Sequence, residues 1–104
     1  MTSLTDIRDT LRAQEPVLRR LGLRSLVLFG SAARGEAHGS SDLDFLYEFD
    51  PGAATLDHLL DLEETLSYAL GRDVDLVSRV HLSPILERYI GSDVVTVYDA
   101  KGTN

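Results

Sequence analysis

Leu4, Ile7, Leu11, Leu18 and Leu21 recur at mostly helical intervals, and Pro16, which lacks a backbone donor, divides this segment into one helix and a short second one. Residues 24–29 read Arg-Ser-Leu-Val-Leu-Phe, a short apolar run that stops at Gly30, as expected for a strand buried on both faces. Residues 30–41 contain three glycines and three serines among scattered charges, a loop composition. Periodicity then changes. From Asp42 to Phe49 the apolar Leu43, Phe45, Tyr47 and Phe49 share one parity and the acids the other, which predicts a second strand.

Asp50, Pro51 and Gly52 end that strand. Leu56, Leu59, Leu60, Leu62, Leu66 and Leu70 mark the longest helix, with Thr55 as N-cap and Gly71 as C-cap. This leucine stripe reads most simply as core, although a surplus apolar edge could also meet a partner. Val74 to Val77 predicts a short strand bearing Asp75, and Ser83-Pro84 opens a helix through Tyr89 and Ile90 that Gly91 closes. Residues 94–98, β-branched or aromatic, predict a last strand before a short polar tail. Strands alternate with helices, yet the first two are joined by a loop without a full crossover helix. The expected architecture is therefore α/β of the α+β kind, a mixed sheet of about four strands packed by helices.

With 104 residues the chain suits one domain spanning 1–104. Ten Lys and Arg against seventeen Asp and Glu give a net charge of −7, which repels polyanions and argues against direct nucleic-acid binding. Cysteine is absent, removing disulfides, thiolate catalysis and Cys-based zinc sites and suiting a reducing cytoplasm. Asp6, Arg8 and Asp9 stand where a signal peptide needs an apolar run, and no stretch approaches membrane-spanning length, so a cytoplasmic protein without a membrane is expected.

One constellation carries chemistry: Gly30-Ser31, ten intervening residues, Asp42-Leu43-Asp44, and a later strand acid. Asp42 and Asp44, two apart on a strand, project from one sheet face about 7 Å apart. Carboxylate oxygens suit magnesium, a hard cation that shares its other positions with water and substrate phosphates. Converging carboxylates need such a cation, because like charges otherwise raise one another's pKa. Gly30 permits close backbone approach to a phosphate, and Ser31 adds a hydroxyl donor. Arg34 is the nearest fixed positive charge, with a phosphate and an acidic protein surface both open as its partner. Asp73 and Asp75 share one parity, so spacing does not select the third acid.

Taken singly, each feature has an ordinary explanation. Asp-x-Asp on an amphipathic strand is usually a solvated face, and an arginine in a loop is commonly just exposed. His38, His58 and His81 form no i, i+4 pair, which speaks against a zinc site. Tyr47, Tyr68, Tyr89 and Tyr98 fall on predicted elements where partial burial is the default.

Gly30-Ser31-Ala32-Ala33-Arg34-Gly35-Glu36-Ala37, leading to Ser41-Asp42-Leu43-Asp44-Phe45-Leu46, with Gly71-Arg72-Asp73-Val74-Asp75-Leu76-Val77 further on, resembles the minimal nucleotidyltransferase (MNT) family of the DNA-polymerase-β-like nucleotidyltransferase superfamily. The resemblance spans nearly the whole chain and implies the nucleotidyltransferase fold. It implies nucleotide-phosphate binding by Gly30 and Ser31, magnesium binding by Asp42 and Asp44, and Asp75, which precedes a Leu-Val pair, as the third acid. Many stand-alone members of the family resemble antitoxins that silence a HEPN-domain ribonuclease toxin by transferring AMP from ATP to a toxin tyrosine. The resemblance thus implies magnesium, ATP as substrate and a HEPN toxin as partner; the mechanism expected from the acids uses two Mg2+ ions, one on the triphosphate and one at the acceptor hydroxyl. Two alternatives remain: an antitoxin acting by occlusion alone, with a vestigial nucleotide site, and a transferase for small hydroxylated molecules.

Overall fold

The computed structural model describes residues 3–34, 42–91 and 93–101. Helix α1 (Leu4–Ala13) begins at a reciprocal cap in which the Ser3 hydroxyl accepts from the Asp6 amide and the Asp6 carboxylate accepts from the Ser3 amide. Helix α2 (Glu15–Arg20) follows directly. Pro16 sits in its first turn, where a missing N–H costs nothing, so the proline starts a helix rather than kinking one. Strands β1 (Leu23–Phe29) and β2 (Leu43–Phe49) pair antiparallel, and β4 (Val95–Asp99) pairs antiparallel with β1 on its other side. Strand β3 (Val74–Ser78) lies parallel to β2, the direction change being made by helix α3 (Leu56–Leu70). Helix α4 (Pro84–Ile90), capped by the Ser83 hydroxyl, connects β3 to β4.

The sheet order β3-β2-β1-β4 is the mixed four-stranded arrangement expected from the alternation of elements. Its two faces are covered unequally. On the first, Leu26, Leu28, Leu43 and Phe45 pack with Ile7 and Leu11 of α1, Leu18 of α2, and Leu62 and Leu66 of α3. On the second, Val27, Phe29 and Leu46, with Val77 of β3 beside them, are covered among the described residues by Ile90, Leu86 and Leu82, from α4 and the turn before it. Asp44 and Asp75 share parity with Leu46 and Val77, so they belong to this thinly covered face. Among the described residues, no helix is long and apolar enough to cross a membrane.

Helix α3 departs from the expectation that its leucines form one buried stripe. Leu62 and Leu66 are fully buried and Leu59 and Leu70 partly so, whereas Leu56 and Leu60 face solvent. Leu62→Ala should therefore cost about 2–5 kcal/mol and Leu60→Ala no more than about 0.5 kcal/mol, measured by urea unfolding. Tyr68 and Tyr98 likewise depart from partial burial, the first lying almost wholly in solvent and the second inside the core.

Candidate active site

Strand β2 is central between β1 and β3, and this placement assembles the site. In register, Asp44 stands opposite Phe29 on β1 and beside Asp75 on β3. Asp42 precedes β2 by one residue and is exposed; Asp44 is half-buried; Asp75 is exposed. The Leu43 amide donates to the Asp73 carbonyl at 3.1 Å, tying the first residues of β2 to the entry of β3. The pairing distinguishes by position the two acids that spacing left open. Asp75 is the neighbour of Asp44, while Asp73 contributes its main chain to the start of the ladder.

Burial raises the pKa of Asp44, and the charge of Asp75, a side-chain hydrogen bond with Asp75 and the charge of Asp42 raise it further. Like charges brought this close favour a partner of opposite sign, which a cation would supply. Among the described residues, no three His, Asp or Glu side chains form a ready-made metal cluster. The assembled unit is the Asp44–Asp75 pair, with Asp42 within electrostatic reach. These hard oxygen donors, and the repulsion they must offset, fit a divalent cation such as magnesium.

Beyond Phe29 the chain turns sharply. Gly30 has φ +78° and opens a 3-10 turn, Gly30–Ala32, in which the Ala33 amide donates to the Gly30 carbonyl at 3.1 Å. A Cβ at Gly30 would lie 2.5 Å from Asp44 Oδ2. Glycine is therefore required twice over, by the left-handed backbone and by the carboxylate against it. The sequence offered Gly30 as a phosphate-binding residue and gave no sign of this second duty, which depends on the β1–β2 register. Ser31 is the middle residue of the turn, its side chain outside the described residues. Arg34, exposed, follows the turn and donates its amide to the Gly30 carbonyl at 3.4 Å. The remainder of the predicted loop, residues 35–41 with His38, lies outside the described residues.

The chain is similar in sequence and fold to known proteins. The family model for the polymerase beta nucleotidyltransferases matches residues 7–102. The protein adenylyltransferase MntA of Thermococcus cleftensis is 38% identical over 98 residues, covering 93% of this chain and 98% of that protein. A solved structure described as a minimal nucleotidyltransferase superposes with a TM-score of 0.71 at 37% identity, over 86% of this chain and 90% of the other. A toxin-antitoxin structure with AMP-PNP superposes with a TM-score of 0.65 at 28% identity, over 90% of this chain and 74% of the other.

Proposed function

The chain belongs to the polymerase beta nucleotidyltransferase family, and from that premise we propose that it is an antitoxin that transfers AMP from ATP to a tyrosine of a HEPN-domain toxin and so neutralises it. The observation that carries the chemistry is the register of Asp44 beside Asp75 on adjacent strands, with Gly30 against the Asp44 carboxylate. The acceptor class is supported by the adenylyltransferase relative and by the toxin-antitoxin neighbour with AMP-PNP.

In the proposed reaction Asp42, Asp44 and Asp75 would hold magnesium, in two positions, without which their charges would repel the triphosphate. When bound, the metal supplies positive charge that offsets the triphosphate and lowers the pKa of the acceptor hydroxyl. Gly30, the amides of the turn after it and the Ser31 hydroxyl hold the phosphates, and Arg34 adds a positive charge beside them. Asp75, the exposed member of the carboxyl pair, takes the acceptor proton. The acceptor oxygen forms a bond to the α-phosphorus as the bond to the β-phosphate oxygen breaks, leaving AMP on the tyrosine and releasing pyrophosphate.

Intact-mass analysis of the protein encoded by the adjacent reading frame, co-expressed with this chain, tests the reading. Mass increments of AMP residues should appear with magnesium and ATP, localise to tyrosine and vanish on chelation. An unmodified partner whose toxicity is nonetheless suppressed would indicate neutralisation by occlusion alone.

A further inference from the structure

The solvent side of α3 carries a feature that the transfer chemistry does not use. Leu56 is 70% exposed, Leu60 53% and Tyr68 89%, and together with exposed Glu64 they fall at four-residue intervals along the helix. Such a series forms one continuous ridge, here about 18 Å long, and ridges of this spacing are those by which helices interdigitate. Beside it Asp57, Asp61 and Glu63 are also exposed, and α3 carries no Lys or Arg. Exposed leucines in a row gain by leaving water, while the flanking acids decide what can cover them.

We propose that this ridge is a docking site for a basic amphipathic helix of the partner protein, with an apolar stripe to meet Leu56, Leu60 and Tyr68 and Lys or Arg to meet the acids. A second copy of this chain would set four acids against four, and an anionic membrane or a nucleic acid would be repelled by the same charges. The identity of that partner as the AMP acceptor rests on the proposed function. Helix α3 packs on the first face of the sheet, whereas Asp44 and Asp75 belong to the second. The ridge therefore anchors the partner without covering the carboxylates, and its contribution should appear in acceptor affinity rather than in the chemical step.

The test compares wild type with Leu56→Ser/Leu60→Ser and with Asp57→Lys/Asp61→Lys/Glu64→Lys, each mixed with the protein from the adjacent reading frame. Circular dichroism establishes that the variants fold, calorimetry measures complex formation, and initial rates of AMP transfer give KM and kcat. Both variants should bind at least about tenfold more weakly and raise the acceptor KM while kcat stays within about twofold, and the lysine variant should lose the salt dependence of wild-type binding. Wild-type affinity and KM in both folded variants would overturn the proposal, as would ridge-dependent self-association of the wild type or the absence of any wild-type complex. A ridge-dependent complex in which wild type transfers no AMP supports the docking site while removing the transfer reading. Transfer with an unchanged KM does the reverse.

Discussion

Asp44→Asn should lower AMP transfer on the order of a hundredfold or more and leave the sheet intact. Asp44 is half-buried, lies between Phe29 and Asp75 in the ladder and has its pKa raised by burial and by the neighbouring Asp75, so no other described acid occupies its place. Asparagine keeps the shape and a hydrogen bond but loses the charge that holds a cation. Stability should move in the opposite direction. Because the folded chain raises the Asp44 pKa, ionising this group disfavours the fold, and its contribution declines as pH rises upward from the ordinary Asp value near 3.8. At neutral pH without divalent ions, Asp44→Asn should therefore melt at or above wild type, by an amount that solvent screening keeps within about 1 kcal/mol. The difference should shrink as pH falls and vanish below that value, where the wild-type carboxyl is protonated in both states. Thermal melts at neutral and acid pH, alongside transfer assays, check both halves. A variant that transfers AMP at the wild-type rate would remove Asp44 from the chemistry.

The paired acids and the strands that carry them were legible because a strand alternates its side chains: apolar Leu43 and Phe45 go to the core, so Asp42 and Asp44 point away from it. Parity could not separate Asp73 from Asp75. That distinction depends on how β3 slides along β2, and the register is fixed by the α3 crossover and the Leu43–Asp73 hydrogen bond, two long-range facts. Pro16 was legible as a boundary but not as a beginning, since the same missing N–H that disrupts a helix interior is harmless in a first turn.

The α3 leucines show why composition overstates a core. Six leucines cover a wider arc than one sheet can bury, so Leu62 and Leu66 enter the core while Leu56 and Leu60 turn outward. The alternative of a surplus apolar edge was present in the pattern, but which leucines compose it required the sheet. The second face of the sheet was also hidden: Leu46 shares parity with the acids yet is buried, because Leu86 and Ile90 of α4 close over it.

Gly30→Ala provides the sharpest test of the local geometry, because two roles for that glycine predict different arithmetic. Alanine at φ +78° costs about 1–2 kcal/mol from its backbone alone, visible as a lower unfolding midpoint. Its Cβ would also lie 2.5 Å from Asp44 Oδ2, so the carboxylate must swing away. A displacement on the order of 1 Å at a reacting centre can cost about a hundredfold in rate, and transfer should fall on that scale. If the loss arises through Asp44, the variant should need more magnesium to reach its residual rate, and Gly30→Ala should add little in an Asp44→Asn background. If the glycine acts solely by admitting the triphosphate, the KM for ATP should rise at unchanged magnesium demand, and the two substitutions should multiply. The double-mutant cycle therefore assigns Gly30 to the carboxylate or to the phosphates, with coupling expected because the two residues are in contact.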